Sequence, residues 1–175
     1  LLIFFLSLVG SLVNIPICIR EATIIPPYKV FPFFSLSPFG VPPDPTKQII
    51  AINLGGCVIP LLLCVYLVPR TPVLPTLFAT VINILICFKI SRVVPGTGVV
   101  IPALIPPLIA VMLAFLFSPG NKIPVAYISG VLGVLIGADI LNLPNLGRYP
   151  GVMSIGGAGV YDGIFLVGII SALLA

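Results

Sequence analysis

Two aspartates stand where the chain is most apolar and richest in glycine. Asp139 and Asp162 interrupt long hydrophobic runs, whereas the other two acids, Glu21 and Asp44, belong to polar stretches. A carboxylate at the centre of a membrane-spanning helix costs about 2.5–3.5 kcal/mol on insertion scales, so an acid in such a place is a functional candidate. Asp139 and Asp162 are therefore the first candidates for chemistry.

The residues around these aspartates favour a site for a cation or a small substrate. Asn142 follows Asp139 at i+3 on one helical face. Gly157 and Gly159 precede Asp162 and allow backbone to come close to an ion. Carboxylate, amide and backbone oxygens are the groups that line cation pathways, and these five residues form our predicted binding set.

Each aspartate also has a purely structural interpretation. Asp139 lies close to the predicted end of its helix, where it can pair with Arg148 at the membrane surface. Asp162 precedes an apolar helix and can accept hydrogen bonds from the first free N–H groups of that helix. Both interpretations stay open beside the functional one.

The composition of the chain indicates whether its surroundings are water or lipid. Of 175 residues, 59% are hydrophobic and 7% are charged, against about 25% charged in a soluble domain. The surroundings are therefore mostly lipid, and we expect a multi-pass protein of the cell membrane. The eight basic residues are scattered singly, which argues against nucleic-acid binding.

Histidine and cysteine usage narrows the chemistry further. The chain has no histidine, which excludes mixed Cys/His zinc sites and metalloprotease motifs of the H-E-x-x-H type. The four cysteines have no C-x-x-C spacing and are interpreted as small buried apolar residues. We therefore expect no metal site and no cofactor.

The hydrophobic runs predict an all-α membrane protein, a single domain over residues 1–175 with five or six short helices broken by proline and glycine. The first run has no basic residue before it and no small-residue cleavage site after it, so we do not interpret it as a signal peptide. Predicted spans are residues 1–19, 49–68 with a kink at Pro60, 73–88, 124–143 and 163 onward, with a half-helix at 108–117.

Three segments cannot be regular helix. Residues 24–46 hold seven prolines and four phenylalanines, and are predicted to lie at the membrane interface or to re-enter it. Residues 95–107 and 154–162 are also rich in proline or glycine. Irregular backbone is not tolerated against lipid, so protein or a water-filled cavity must shield these segments, and the last two are where we expect a site.

Charge and glycine patterns give an orientation and a contact face. The first, third and fifth connections hold six of the eight basic residues, which favours the cytoplasm for these connections and places both termini outside. Gly130, Gly133 and Gly137 form a small-residue stripe roughly opposite Asp139 and Asn142. Such glycine faces allow close helix contacts and homo-oligomers within the lipid bilayer.

Five segments together resemble a prokaryotic membrane family known as domain-of-unknown-function family 1614. They are SLVGSLVNIP, INLGGCVIP, VPGTGVVIPALIPPLIA, AYISGVLGVLIGADILNL and SIGGAGVYDGIFLVGIISALLA, and they span nearly the whole chain. The resemblance implies a multi-pass membrane protein and brings no assigned activity.

Shorter fragments are similar to presenilin-like intramembrane aspartyl proteases. The fragments are Tyr161-Asp162, Gly137-Ala138-Asp139 and Pro102-Ala103-Leu104. That similarity implies Asp139 and Asp162 as a catalytic pair that shares a proton and activates water. The Gly137 fragment lacks the first glycine of the family motif, and the order of the motifs along the chain differs.

Three functions follow as hypotheses from these patterns. The favoured one is a small cation- or proton-linked transporter or channel that uses Asp139 and Asp162. The alternatives are an intramembrane aspartyl protease and a non-enzymatic membrane scaffold or assembly protein.

Overall fold

The computed structural model describes residues 2–23, 46–94, 98–147, 149–157 and 163–175. Helices account for 67% of them. The interfacial or re-entrant segment predicted at residues 24–46 lies outside the described residues, except for Thr46.

Six helices form the body of the described structure. They are α1 (Leu2–Gly10), α2 (Ile59–Leu67), α3 (Val73–Ile90), α4 (Ile105–Phe117), α5 (Lys122–Leu132) and α6 (Gly163–Leu174). Helical turns of other types extend two of them. A π-helical turn (Leu54–Val58) and a 3-10 turn (Val68–Arg70) flank α2, and α5 runs from a 3-10 turn (Pro119–Asn121) into a π-helical segment (Gly133–Asp139) and a 3-10 segment (Ile140–Asn145).

Five strands form two small sheets in the described part of the chain. The first sheet has the order β1 (Asn14–Glu21), β2 (Lys47–Asn53), β5 (Gly151–Ile155), with β1 antiparallel and β5 parallel to β2. The second is an antiparallel hairpin of β3 (Arg92–Val94) and β4 (Gly98–Val100). The expectation of an all-α chain therefore holds for most described residues but omits these sheets.

The first two predicted spans are wrong for a reason visible in the sequence. Residues 1–19 divide into α1 and β1, and residues 49–68 divide into β2, a π-helical turn and α2. Isoleucines at alternate positions of β1 carry the period of a strand, which a simple count of apolar residues overlooks. Pro60 stands in the first turn of α2, where proline is tolerated, so it starts the α-helix and does not kink one.

The later predictions match the structure more closely. The span at 73–88 corresponds to α3, and the helix from residue 163 onward corresponds to α6. The half-helix at 108–117 appears as α4, 13 residues long, which follows the extended strand β4. The span at 124–143 lies within the helical stretch Pro119–Asn145.

Helix α5 is the centre of the bundle and contacts α2, α3, α4 and α6. It is antiparallel to α6, because Gly130 lies against Ser171 while Gly163 lies near Val134. It is parallel to α3, because Asn83 bonds to Ser129 and the Ser91–Asn142 contact lies further along both helices. Buried residues from this region form the larger core: Cys57, Cys64, Cys87, Ile128, Val131, Val134, Leu135, Ala138, Ile164 and Val167.

Two helices of the described residues are long and apolar enough to cross a membrane, judged by length and composition. They are Val73–Ile90 and Pro119–Asn145. In the most apolar 18-residue stretch of each, 28% of the residues of the first and 61% of those of the second are buried inside the protein. The outer helix therefore presents most of its apolar surface to its surroundings, while the central helix is enclosed.

The bundle has two chemically different ends. At the sheet end lie both sheets and the C-terminal ends of α3 and of the α5 helical stretch; at the turn end lie the short α2–α3 and α4–α5 connections. Four described cations lie at the sheet end, namely Arg20, Lys47, Lys89 and Arg92. At the turn end, Arg70 and Lys122 rest over the rings of Tyr66 and Phe115, at 3.8 and 4.1 Å from the ring centroids.

Candidate functional site

Asp139 lies where the central helix changes its winding. It is the last residue of the π-helical segment and directly precedes the 3-10 segment, at the sheet end of the bundle. Its side chain is half-buried. Departures from α-helical winding are frequent at functional sites, because they displace carbonyl groups from the regular hydrogen-bond ladder. The structure thus places this predicted site residue at an irregularity of the most enclosed helix.

Asn142 is buried, and its amide nitrogen lies within hydrogen-bond distance of one hydroxyl and two carbonyl oxygens. Nδ2 donates to Ser91 Oγ at 2.9 Å and to the carbonyl oxygen of Ala138 at 2.9 Å. The carbonyl oxygen of Gly137 lies 3.4 Å from the same nitrogen. Because Ser91 directly follows α3, Asn142 joins the C-terminal ends of the two parallel helices.

The predicted separation of a glycine face from a polar face is wrong for Asn142. A side chain at Gly133 would collide with Asn83 of α3, and one at Gly137 would collide with the Ile84 carbonyl, so both glycines face α3. Asn142 faces the end of α3 as well. In a regular α-helix the nine positions from Gly133 at about 100° each would place Asn142 roughly on the opposite side.

The change of winding between these residues explains why the α-helical estimate fails. The π-helical segment ends at Asp139, and Asn142 lies in the 3-10 segment that follows, so the 100° step of an α-helix does not apply between Gly133 and Asn142. Gly130 lies before the π-helical segment and faces Val167 and Ser171 of α6 instead. The three glycines thus pack against two different neighbours within the chain.

The second predicted half of the site is described only in part. Gly157 has a φ of +89°, a left-handed conformation that favours glycine, and its N–H donates to the Ser154 carbonyl at 3.2 Å. Gly159 and Asp162 lie outside the described residues. The shared-proton arrangement of a protease therefore stays a prediction.

Buried polar contacts that we did not predict run through the same bundle. Asn83 on α3 is fully buried and its Nδ2 donates to the Ser129 carbonyl of α5 at 2.8 Å. Gly133 leaves the space for this amide, since a Cβ there would lie 2.6 Å from Asn83 Nδ2. The signal in the sequence was the single asparagine in an apolar run, which needs a partner across the helix interface.

A second polar cluster anchors the first sheet to the bundle. Asn53 is fully buried; its Nδ2 donates to the Ser11 carbonyl at 2.6 Å and to Asn14 Oδ1 at 3.0 Å, and its Oδ1 accepts from Gly56 N–H at 2.7 Å. Ser154 Oγ also donates to Asn14 Oδ1, at 2.6 Å. The side chain of Asn53 caps the π-helical turn and fixes its direction relative to β1 and β5.

Two buried polar atoms remain without a hydrogen-bond partner among the described residues, Gln48 Oε1 and Ser171 Oγ. Such atoms are uncommon in native structures. No group of three or more metal-ligating acids or cysteines occurs within the described ranges. Asp139, the Asn142 amide and the carbonyl groups of Gly137 and Ala138 lie together at the end of the α5 helical stretch.

The family of the chain is identified from the amino-acid pattern along its sequence. Residues 8–174 match the protein family of unknown function DUF1614. The chain belongs to this family. The match covers nearly the whole chain, both sheets and the end of α5 included, so the site described above lies within the family's own domain. No curated protein and no solved structure matches the chain.

Proposed function

We propose that the chain is a multi-pass membrane protein in which helices α2 to α6 lie in the bilayer. The observation that carries this proposal is the outer face of α3. Leu74, Phe78 and Leu85 are 65%, 57% and 58% exposed along a helix of 18 residues, which spans about 27 Å. A soluble protein rarely exposes so large a continuous apolar surface, whereas lipid is its natural solvent.

Fluorescence offers a direct test, because the chain contains no tryptophan. A single Phe78→Trp substitution places the probe on the outer face of α3, and Asn121→Trp places one on the exposed turn before α5. In vesicles, we expect brominated lipid tails to quench the first probe strongly and the second weakly. Equal, weak quenching of both probes would reject the membrane location of α3.

Within this setting we infer a cation- or proton-linked transport function centred on Asp139. The supporting observation is the position of this carboxylate at the end of a π-helical segment in the central helix. The carbonyl groups of Gly137 and Ala138 stand beside it in sequence and accept from the Asn142 amide at 3.4 and 2.9 Å. Interrupted helices supply such oxygens to ions in known transporters.

The transport assay compares two charge-neutralising substitutions. Purified chain in proteoliposomes should move protons, Na⁺ or K⁺ along an imposed gradient, followed by ion-sensitive dyes. Asp139→Asn should lower this flux at least tenfold, because the site loses its carboxylate. Glu21→Gln, on an exposed strand position at the sheet end, is the matched control and should leave the flux unchanged.

The predicted companion Asp162→Asn belongs in the same series. An intact flux in both aspartate variants would remove Asp139 and Asp162 from the pathway. A lost flux in Glu21→Gln as well would show that the assay reports surface charge and not the site. Retention of the folded state in each variant is checked by the unfolding temperature in detergent.

A scaffold role is the second candidate, and the asparagine contacts favour it. Asn83 and Asn142 direct their amide nitrogens to helix carbonyls and to Ser91, which joins helices together. Under this alternative, the inserted and folded wild-type chain shows no flux under proton, Na⁺ or K⁺ gradients. A gradient-driven flux that the Asp139→Asn substitution abolishes would support transport and reject the scaffold role.

A further inference from the structure

A cleft opens at the sheet end, beside the polar end of α5. It has a volume of about 250 Å³ and lies between β3, the end of the α5 helical stretch and β5. Drug-sized sites begin at about 300 Å³, so this cleft suits a headgroup or a chain end better than a whole ligand. Its lining is Val93, Val94, Asn145, Leu146, Gly147, Tyr149 and Met153.

A buried glutamine, Gln48, lies behind one wall of the cleft and contacts the residues that form it. Gln48 is 1% exposed, and its Nε2 donates to the Gly147 carbonyl at 2.8 Å and contacts Met153 Sδ at 3.5 Å. Both Gly147 and Met153 line the cleft. The Oε1 atom of the same glutamine has no partner among the described residues. The glutamine thus fixes the position of this wall.

Two exposed cations lie close in sequence to the cleft residues of β3. Arg92 is exposed and lies two positions before Val94 on β3, so the two side chains share a strand face about 6.6 Å apart. Lys89 is also exposed and lies in the last turn of α3, three residues before Arg92. A ligand that fits here combines apolar contact with Val93, Val94 and Leu146 and a negative charge beside Arg92.

We propose that this cleft binds an anionic phospholipid, with the phosphate beside Arg92 and a hydroxyl-bearing headgroup such as glycerol toward the Gln48 wall. Basic pockets at the cytoplasmic ends of membrane helices recognise lipid headgroups in this way. Four of the six described cations lie at this end, so the same charges that favour a cytoplasmic orientation also face the anionic leaflet. The proposal rests on the proposed membrane location.

The test measures binding of fluorescent phosphatidylglycerol to the full chain purified in detergent, with phosphatidylcholine as the neutral comparison. Arg92→Gln should weaken phosphatidylglycerol binding about fivefold, the equivalent of ~1 kcal/mol for one basic residue near an anionic surface. Arg70→Gln removes the same charge at the turn end and should have no effect. Phosphatidylcholine binding should be unchanged in both variants.

Two further arms separate the cleft from a general attraction. Val94→Phe adds bulk on the cleft lining without changing charge and should also weaken phosphatidylglycerol binding. Competition by glycerol 3-phosphate alone should be weak; if it displaces the lipid fully, the ligand is the free phosphate ester and the lipid assignment is overturned.

Failure of this proposal is distinguishable from failure of the membrane location. A chain that needs detergent but binds both lipids equally, or responds alike to Arg92→Gln and Arg70→Gln, rejects the lipid site and leaves the membrane location standing. Loss of binding in Arg92→Gln with none in Val94→Phe also rejects the cleft. A chain that stays in solution without detergent rejects the membrane location itself.

Discussion

An asparagine amide buried in an apolar bundle needs hydrogen-bond partners, and three oxygen atoms surround the amide nitrogen of Asn142. Its Nδ2 is near the Ser91 hydroxyl and the carbonyl groups of Gly137 and Ala138. Two of these oxygens belong to helical turns where the winding changes. The amide therefore compensates for hydrogen bonds that the change of winding disturbs, which is a structural duty compatible with a place in an ion site.

Removal of this amide gives a prediction at the residue scale. Asn142→Ala leaves these buried acceptors without their donor, and we expect the free energy of unfolding in detergent to fall by about 1–3 kcal/mol. Thermal unfolding of the purified variant measures the loss. Asn121→Ala is the control, since Asn121 is exposed and its side chain does not cap α5. An equal shift in both variants would contradict the structural duty of Asn142.

At the scale of elements, the parallel contact of α3 and α5 depends on missing side chains. At Gly137 the backbone of the π-helical segment that continues α5 approaches the Ile84 carbonyl so closely that an added methyl group must displace α3, and it would lie 3.0 Å from Cys87 Cβ. Overpacking of this kind costs about 1–3 kcal/mol. The contact between the two longest apolar helices is thus set by backbone approach and not by large interlocking side chains.

Substitution by alanine tests this contact with an internal control. Gly137→Ala should lower the unfolding temperature in detergent, because the new methyl group meets backbone. Gly120→Ala should leave it unchanged or raise it slightly, since a Cβ at Gly120 has no atom within 4 Å. A tolerant Gly137→Ala variant would mean that α3 and α5 are not in close contact at this point.

The elements also show what the sequence can and cannot predict. Helices α3 and α6 were predictable because their apolar runs are long and end at clear polar or terminal residues. Strands β1 and β2 were missed because each adjoins another apolar element, and the combined runs have the length of a membrane span. The short period of Ile15, Ile17 and Ile19 was the usable signal.

The candidate site was predictable in its residue types but not in its geometry. Asp139 and Asn142 were expected from their polarity in an apolar run, and the structure places both near the end of the α5 helical stretch. The shared face of Gly137 and Asn142 was not predictable, because the winding changes from π-helical to 3-10 between them and no residue pattern specifies that change. Asn83 shows the same limit, since its partner is a backbone carbonyl of another helix.

For the whole molecule, the charges predict an orientation that chemical labelling can check. Single cysteines at Asn121 and Asn145 lie at opposite ends of the bundle, in exposed positions. With Cys18 replaced by serine, the remaining cysteines Cys57, Cys64 and Cys87 are buried, at 4%, 2% and 0% exposure, and should react little.

In intact cells, a membrane-impermeant maleimide should label the Asn121→Cys variant, while the Asn145→Cys variant should react after the membrane is opened. The reason is the excess of basic residues at the sheet end, which favours the cytoplasm. Labelling of both variants in intact cells would contradict a membrane crossing between these residues. The reverse pattern would invert the orientation and leave the crossing intact. Homo-oligomers through glycine-rich faces stay a prediction that neither pattern addresses.

The parallel pairing of α3 with α5, and of β2 with β5, has a consequence for how the chain is made. Asn83 emerges from the ribosome well before Ser129, its bonding partner, and β2 emerges about a hundred residues before β5. During synthesis the early half therefore exists for a time with Asn83 lacking its bonding partner and with one edge of β2 unpaired. We expect a product that stops after α4 to be degraded faster than the full chain, because it contains α3 in full but lacks these partners.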